Sequence, residues 1–532
     1  MGRVNEPSAR LAGLTIPLFS LRTARSMGIG EIPDLGDAAR LCRRLGLRLL
    51  QILPVGELSG AETSPYGALS AFGIDPSFIA WGAVEDVPDA ALAREEAEIA
   101  RLRATPTVDY AGVRALKIRL RDAAFENFVA RHAGGASERL AAFRAFLREQ
   151  SSWLGNFAMF RALKDVHGGA AWWSWPAPLC DRDANALAAF GTAHQESIER
   201  HAYTQWIAHE QWRAARDAMK SEGVELMGDL PFMVGRDSAD VWSCRAEFRD
   251  DASVGAPPDQ FDAEGQEWGL PPYRWETMRG NGFRWLRQRA RYAGLLHDRF
   301  RIDHLVGFFR TYVRELNHLR SPEGRLLPGY FDPSDEGEQL PHGDAVIRAM
   351  IEGAAETGAR LIGEDLGVVP DFVRPCIERL GVPGYKVLRW EQRDGRFRDP
   401  AEFIACSVAC FGTHDTDSVR SWWRSIPGWE RDAFRQLPAM RERGHGDGWS
   451  DATHEALLGT LAGARSDLVL LLWQDIVGSV DRINTPGTVG PHNWTWRLPA
   501  TLADTLSDPA LAPAFDRVRA AMQAAGRATA AP

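Results

Sequence analysis

The chain contains no apolar run approaching the ~18 residues that a membrane-spanning helix requires, and Met1 to Arg10 has no apolar core of signal-peptide length. It also lacks a basic excess. Against 62 Lys and Arg stand 71 Asp and Glu, a net charge of -9, whereas a nucleic-acid partner selects a basic stripe. Cysteine is sparse: Cys42, Cys180, Cys244, Cys376, Cys406 and Cys410 are scattered, and no two have the two-residue gap of a zinc or redox motif. Reduced, buried thiols are expected, and with them a cytoplasmic location with neither membrane nor nucleic acid as partner. The dinucleotide fingerprint is missing, because Pro33 stands where a third glycine should follow Gly28-Ile29-Gly30. There is no Gly-rich phosphate loop ending in Lys-Ser/Thr, no His-X-His and no HEXXH, so no cofactor and no metal are expected.

What the chain does have is three short acidic phrases, each closing an apolar run. They are Phe300-Arg301-Ile302-Asp303-His304, Leu361-Ile362-Gly363-Glu364-Asp365-Leu366 and Phe411-Gly412-Thr413-His414-Asp415. Eight apolar runs read as strands: Leu14 to Leu21, Leu47 to Val55, Val224 to Val234, Phe300 to Phe308, Arg360 to Leu366, Tyr385 to Trp390, Ser407 to Asp415 and Asp467 to Asp475. Helix-like segments between most of them, such as Leu35 to Leu45, predict an α/β chain, a (β/α)8 barrel over residues 11–500 with large, mainly helical insertions. In such a barrel all strand ends open on one face, where side chains from different strands converge. Carboxylates gathered there suit glycosidic-bond chemistry, with one acid/base and one nucleophile or base beside an oxocarbenium-like centre.

Two connections are too long for ordinary βα loops, which run to about 2–6 residues. Residues 57–223 are rich in Ala, Arg, Glu and Leu with helical spacing, for example Leu140, Phe143, Phe146 and Leu147, and predict a helical inserted subdomain. Residues 235–299 predict a loop-rich insertion. Within it Gly255 to Tyr273, dense in Pro, Gly and aromatics, is the expected lid. Residues 501–532 predict a C-terminal helix fraying into a mobile, Ala-rich tail.

The residue chemistry sharpens the acidic phrases. Arg301 and Asp303 are two apart on a strand and point to one side. A guanidinium there favours the anion that a nucleophile needs, although a structural Arg–Asp pair has the same spacing. A second carboxylate and burial would raise the pKa of Glu364, the state a general acid needs. Asp365 alternates to the other side and reads as a loop-ordering group. His414 and Asp415 close the seventh strand, where both can bind sugar hydroxyls. Asp229, after Gly228, can orient Arg301, bind a hydroxyl or serve structure. Sugars present C–H faces to aromatic planes, so among the 19 tryptophans Trp172, Trp173, Trp175 and Trp268, with Tyr66, are candidates against core packing.

Read together and in order, several phrases resemble the amylomaltases, the 4-α-glucanotransferases or disproportionating enzymes of glycoside hydrolase family 77 in the α-amylase clan. The markers are Gly28-Ile29-Gly30-Glu31, Ser64-Pro65-Tyr66-Gly67, Gly228-Asp229-Leu230-Pro231, Gly255-Ala256-Pro257-Pro258-Asp259, the three acidic phrases and Asn484-Thr485-Pro486-Gly487-Thr488. The resemblance runs from about Leu14 to Pro499. It implies Asp303 as nucleophile, Glu364 as acid/base and Asp415 as transition-state stabiliser. It further implies a donor subsite lined by Asp229, Arg301, His304 and His414, with Tyr66 and Trp268 stacking on glucan. Donors would be α-1,4-glucans and maltooligosaccharides; acceptors would be glucose or a maltooligosaccharide; no cofactor or metal would be needed. Gly67 stands where the family usually has Gln, Leu270 where Asn is common and Asp75 where Asn is usual. These departures spare the three carboxylates and bear on acceptor binding and chain length. A retaining hydrolase of the same fold and an idle glucan-binding protein stay open as alternatives, separated from a transferase by acceptor dependence.

Overall fold

Eight parallel strands close on themselves in the computed structural model, which describes residues 10–60, 62–132, 135, 137–258, 263–443 and 448–528. In chain order they are Leu11–Thr15, Leu49–Gln51, Glu225–Leu230, Arg299–Ile302, Arg360–Gly363, Gly384–Val387, Ser407–Cys410 and Leu468–Leu472. The first pairs with the eighth, from Leu11 opposite Leu468 to Thr15 opposite Leu472, which seals the barrel. Barrel strands are covered on both faces, and the run Leu468–Leu472, all apolar and all buried, answers that demand. Leu49, Met227, Ile362, Val408 and Leu470 fill the barrel interior, while a larger core lies between the strands and the outer helices.

The predicted barrel is therefore present, but strand limits differ. The first strand lies at Leu11–Thr15 rather than Leu14 to Leu21, because Pro17 has no N–H for a ladder and Leu18–Ser20 turns as a 3₁₀ helix. Leu18, Phe19 and Leu21 are buried all the same, so the apolar signal outruns the strand. Most of the other predicted runs also overshoot at their C-terminal ends. Ser407 to Asp415, for example, is strand only as far as Cys410. The overshoot residues form the loops at the mouth, and these carry the acidic phrases.

Between the second and third strands the chain forms mainly helices, from Asp89–Ala104 to the 27-residue Gln195–Ser221. That last helix serves two layers. Tyr203 and Trp206 pack on Phe128 and Phe143 of the insertion, while the Trp212 indole donates to the Leu296 carbonyl beside the barrel. Residues 235–299 hold less loop than expected. Ala252–Ala256 and Gln266–Leu270 join Thr311–Glu315 and Tyr330–Asp332 in a four-stranded antiparallel sheet, and Arg284–Leu296 is an outer helix. Half of that sheet thus comes from beyond the fourth barrel strand, a pairing that local spacing does not reveal. Buried Arg314 fastens it, donating to the carbonyls of Ala256, Glu264, Gln266 and Leu327. Asp259, Gln260, Phe261 and Asp262 of the expected lid lie outside the described residues.

After the eighth strand, Ala512–Ala524 buries Phe515, Val518 and Met522 against the helix Asp451–Ala462. The helix expected at the C-terminus is thus part of the outer layer. Nor does the chain fray at once: Arg527 is 1% exposed and donates to the carbonyls of Ala462, Ala464, Ser466 and Leu11. Residues 529–532 of the expected mobile tail lie outside the described residues. Burial pushes the Arg527 pKa down to about 10. Arg527→Ala should strand those carbonyls and destabilise the protein by about 1–3 kcal/mol, read from urea unfolding. An unchanged midpoint would mean that water replaces the guanidinium.

Candidate active site

The third to fifth strands end side by side, and their pairing assembles the site. Asp229 lies opposite Arg301, and Ile302 lies opposite Gly363. Two glycines make this close packing possible. A Cβ on Gly228 would stand 2.4 Å from the buried His297 ring, and one on Gly363 would stand 2.6 Å from Leu305. The backbone N–H groups of Asp303 and Glu364 continue the ladder past the strand ends, donating to Leu230 and Ile302 at 3.0 Å each.

Arg301, 4% exposed, is the centre of the charge network. Its Nη1 donates to both oxygens of Asp229 at 2.8 Å, and its Nη2 meets Asp303 Oδ1 at 2.7 Å and Glu364 Oε2 at 4.0 Å. Facing anions hold the guanidinium pKa well above its ordinary value in spite of burial. Burial raises the Asp229 pKa against the pull of Arg301. Burial also raises that of Glu364, to about 7; Arg301 opposes the rise and Asp303 adds to it. Glu364 is held by two backbone donors, His304 N–H at 2.8 Å and Leu366 N–H at 2.9 Å. His304 reaches it from a left-handed backbone conformation, φ 44°. Burial lowers the pKa of its ring, which meets Trp268 edge-on at 5.2 Å.

A second arm leads to Asp415. The Tyr66 hydroxyl lies 2.9 Å from both Asp229 Oδ2 and His414 Nε2. A phenol has one proton, so with Asp229 as its acceptor the hydroxyl accepts from His414 Nε2–H, an assignment made from the network. His414 Nε2 is also 3.3 Å from Asp415 Oδ2. The nine site residues that the resemblance implies thus belong to one connected cluster, whereas of the other aromatic candidates Trp172 and Trp175 are buried in packing and Trp173 is exposed, none of them in contact with it among the described residues. Two further residues escaped the sequence reading of the site. Asn484 Nδ2 donates to Asp415 Oδ1 at 2.6 Å, and Arg482 donates to the Asp415 carbonyl at 2.8 Å. Asn484 had a signal, since it opens the Asn484 to Thr488 marker. Arg482 had none.

Exposure divides the carboxylates. The side chains of Asp303 and Asp415 are 30% and 39% exposed, that of Glu364 is 10% and that of Asp229 is 0%. Two can be touched by a ligand, one is semi-buried and protonatable near neutrality, and one is sealed in against Arg301. Asp365 turns away, accepting from Tyr385 N–H at 2.6 Å and pairing with Arg374, as a loop-ordering group would. Among the described residues no three His, Cys, Asp or Glu side chains are grouped as metal ligands, and no helix is long and apolar enough to cross a membrane.

The chain as a whole is similar to known proteins. Residues 16–503 fit the family model of glycoside hydrolase family 77, described as 4-alpha-glucanotransferase. The chain belongs to that family. A 4-alpha-glucanotransferase of Chlamydia caviae is 31% identical over 93% of this chain and 92% of its own. One of Thermus thermophilus is 31% identical over 88% of this chain and 91% of its own. In fold, the chain resembles an amylomaltase from Streptococcus agalactiae solved with acarbose, at a TM-score of 0.81 and 24% identity, covering 98% of this chain and 100% of that one. The protein is thus a 4-α-glucanotransferase, and the alternative of a hydrolase is not favoured.

Asn484 holds one carboxylate oxygen of Asp415, while Arg482 holds its backbone carbonyl. Asn484→Ala should lower kcat for transfer by about 10- to 100-fold through misplacement of Asp415, with little change in thermal midpoint. Full activity in that variant would show that Asp415 needs no such support.

Proposed function

We propose that transfer proceeds with retention through a covalent glucosyl-enzyme, with Asp303 as nucleophile, Glu364 as acid/base and Asp415 as stabiliser of the transition state. The observation that carries this reading is the unequal treatment of two carboxylates beside one guanidinium: Asp303 is exposed and paired, Glu364 is buried and raised to about 7. Asp303 attacks the anomeric carbon while Glu364 gives its proton to the departing glycosidic oxygen. The shortened chain leaves. Glu364, now a carboxylate, takes the proton from the 4-hydroxyl of the acceptor, which displaces Asp303. Arg301 orients Asp303, and Asp229 holds Arg301. His304 and His414 line the donor subsite, with Tyr66 and Trp268 as its aromatic walls, and Asp229, sealed behind Arg301, serves it through that guanidinium rather than by touching sugar.

The substrates proposed are α-1,4-glucans and maltooligosaccharides as donors and glucose or a maltooligosaccharide as acceptor, so that maltotriose yields longer chains and free glucose. The names of the relatives support this reading. Choosing a sugar over water calls for a site that sheds water, and the segment Gly255 to Tyr273, placing Trp268 against His304, is the proposed lid. Residues 57–223 form, in this reading, an inserted subdomain flanking the cleft. Six unpaired cysteines support a reducing, cytoplasmic setting.

Three measurements on the carboxylates test the roles. Glu364→Gln should depress transfer from maltotriose by about 10²–10⁴-fold, yet still release fluoride from α-maltosyl fluoride, whose leaving group needs little protonation, and accumulate sugar on Asp303. Asp303→Asn should be inert with both donors. Because the acid form of Glu364 is the one required for attack, kcat/KM for maltotriose should fall as pH rises through about 7, and Glu364→Gln should lose that limb with the fluoride donor. Sugar found on Asp415 or Asp229 by mass spectrometry would overturn the assignment. For the lid, Trp268→Ala should reduce transfer more than hydrolysis; equal loss of both would make the residue a packing element.

A further inference from the structure

The segment from Ile483 to Leu498, after the eighth barrel strand, forms no helix and no extended strand, yet it is fastened along its length. Asn493 Oδ1 accepts from the Thr485 N–H at 2.9 Å, and Asn493 Nδ2 donates to the Thr488 carbonyl at 2.8 Å. These bonds fold the segment back beside Asn484, the residue that holds Asp415. The Trp494 N–H donates to the Ile483 carbonyl at 3.0 Å. Trp494 itself sits at φ 64°. A bulky residue keeps that left-handed conformation only where its surroundings over-determine it.

Those surroundings come from the insertion after the second barrel strand. Thr107 bridges Trp496, and the Val108 N–H donates to the Thr495 carbonyl at 2.8 Å. Tyr110, the first residue of the helix Tyr110–His132, donates its hydroxyl to the Trp494 carbonyl at 2.8 Å. Burial drives the pKa of that phenol far up, so it remains a donor. On the other side, the Trp494 ring lies 5.9 Å from the Tyr66 ring and 5.9 Å from the His414 ring. Those two rings stack at 5.7 Å and are joined by the 2.9 Å bond between the Tyr66 hydroxyl and His414 Nε2. Neither lies within a barrel strand, so neither is oriented by the ladder alone. Trp494 is buried behind both.

We propose that Tyr110 and Trp494 are positioning residues for transfer: through the Trp494 ring, the insertion fixes the Tyr66–His414 pair at the donor subsite. A pair joined by one hydrogen bond can still pivot about it, and a third ring packed against both removes that freedom. Small misplacements at the reacting sugar are costly. The proposal rests on the reading of Tyr66 and His414 as donor-subsite side chains.

A double-mutant cycle with maltotriose tests it. Tyr110→Phe keeps the ring and deletes the hydroxyl. Its kcat should fall about three- to tenfold, the worth of one hydrogen bond, with KM within about twofold of wild type. Trp494→Gly deletes the ring and retains the left-handed backbone, which glycine adopts freely. Its kcat should fall about tenfold or more, and Trp494→Phe should recover most of that loss. In the double variant Tyr110→Phe should cost nothing further, because the ring through which it acts is gone. A purely structural bond would instead lower the thermal midpoint and leave kcat unchanged well below it. Wild-type kcat in Tyr110→Phe, multiplied losses in the double variant, or a Trp494→Phe no better than Trp494→Gly would each overturn the proposal. Should Trp494→Gly not fold, kcat and KM of Tyr110→Phe decide the matter alone. His414→Ala at wild-type kcat and KM would overturn the donor-subsite reading beneath it. An impaired His414→Ala beside a wild-type Tyr110→Phe would sink the positioning role and leave that reading intact.

Discussion

The burial of Arg301 is the constraint on which the site depends. A guanidinium removed from water loses solvation that only nearby anions and good geometry offset. Here Asp229 supplies both oxygens to one nitrogen and Asp303 supplies one to the other. The sealed pair at Asp229 fixes the guanidinium from behind, which leaves Asp303 held on one oxygen and partly exposed. Glu364, at 4.0 Å, feels the same cation but is more deeply buried, and burial wins. Two carboxylates sharing one cation thus differ both in exposure and in distance from it.

The barrel supplies the strand ends, but it does not by itself finish the site. Tyr66 comes from the connection after the second strand and bridges Asp229 to His414 across the mouth. Trp268 comes from the antiparallel sheet that Arg314 fastens. Asn484 and Arg482 come from the segment after the eighth strand and hold Asp415. Long insertions therefore position side chains that ordinary short βα loops would not reach. Contacts made between distant segments also explain why the long connections carry buried aromatic and arginine-rich packing of their own.

Much of this could be read along the chain, and the reason is local. Each acidic phrase is an apolar run followed by an acidic residue, and runs of that kind, punctuated in this way, read as strands. Eight of them with helices between leave few topologies, so the barrel and the convergence of Asp303, Glu364 and Asp415 at one mouth were legible. So was the shared face of Arg301 and Asp303, because strand alternation is a property of the backbone. Helical spacing likewise marked the insertion after the second strand.

Contacts between segments far apart were not legible. The sheet joining Ala252–Ala256 to Thr311–Glu315 is built from short strands on either side of a barrel strand, with no alternation strong enough to pair them. Tyr66 reads as a stacking ring, yet its hydroxyl is a bridge, since only the fold brings residues 229 and 414 to it. Arg527 looks like part of a loose tail, yet it is buried because carbonyls of Ala462, Ser466 and Leu11 converge on it from distant segments. Sequence by itself determined the strands, the order of the barrel and which acids face its mouth, since those follow from period and punctuation. Tertiary structure alone decided which carboxylate is buried, which arginine is shared and which tryptophans stay in water, since burial and charge pairing depend on what the rest of the chain places nearby.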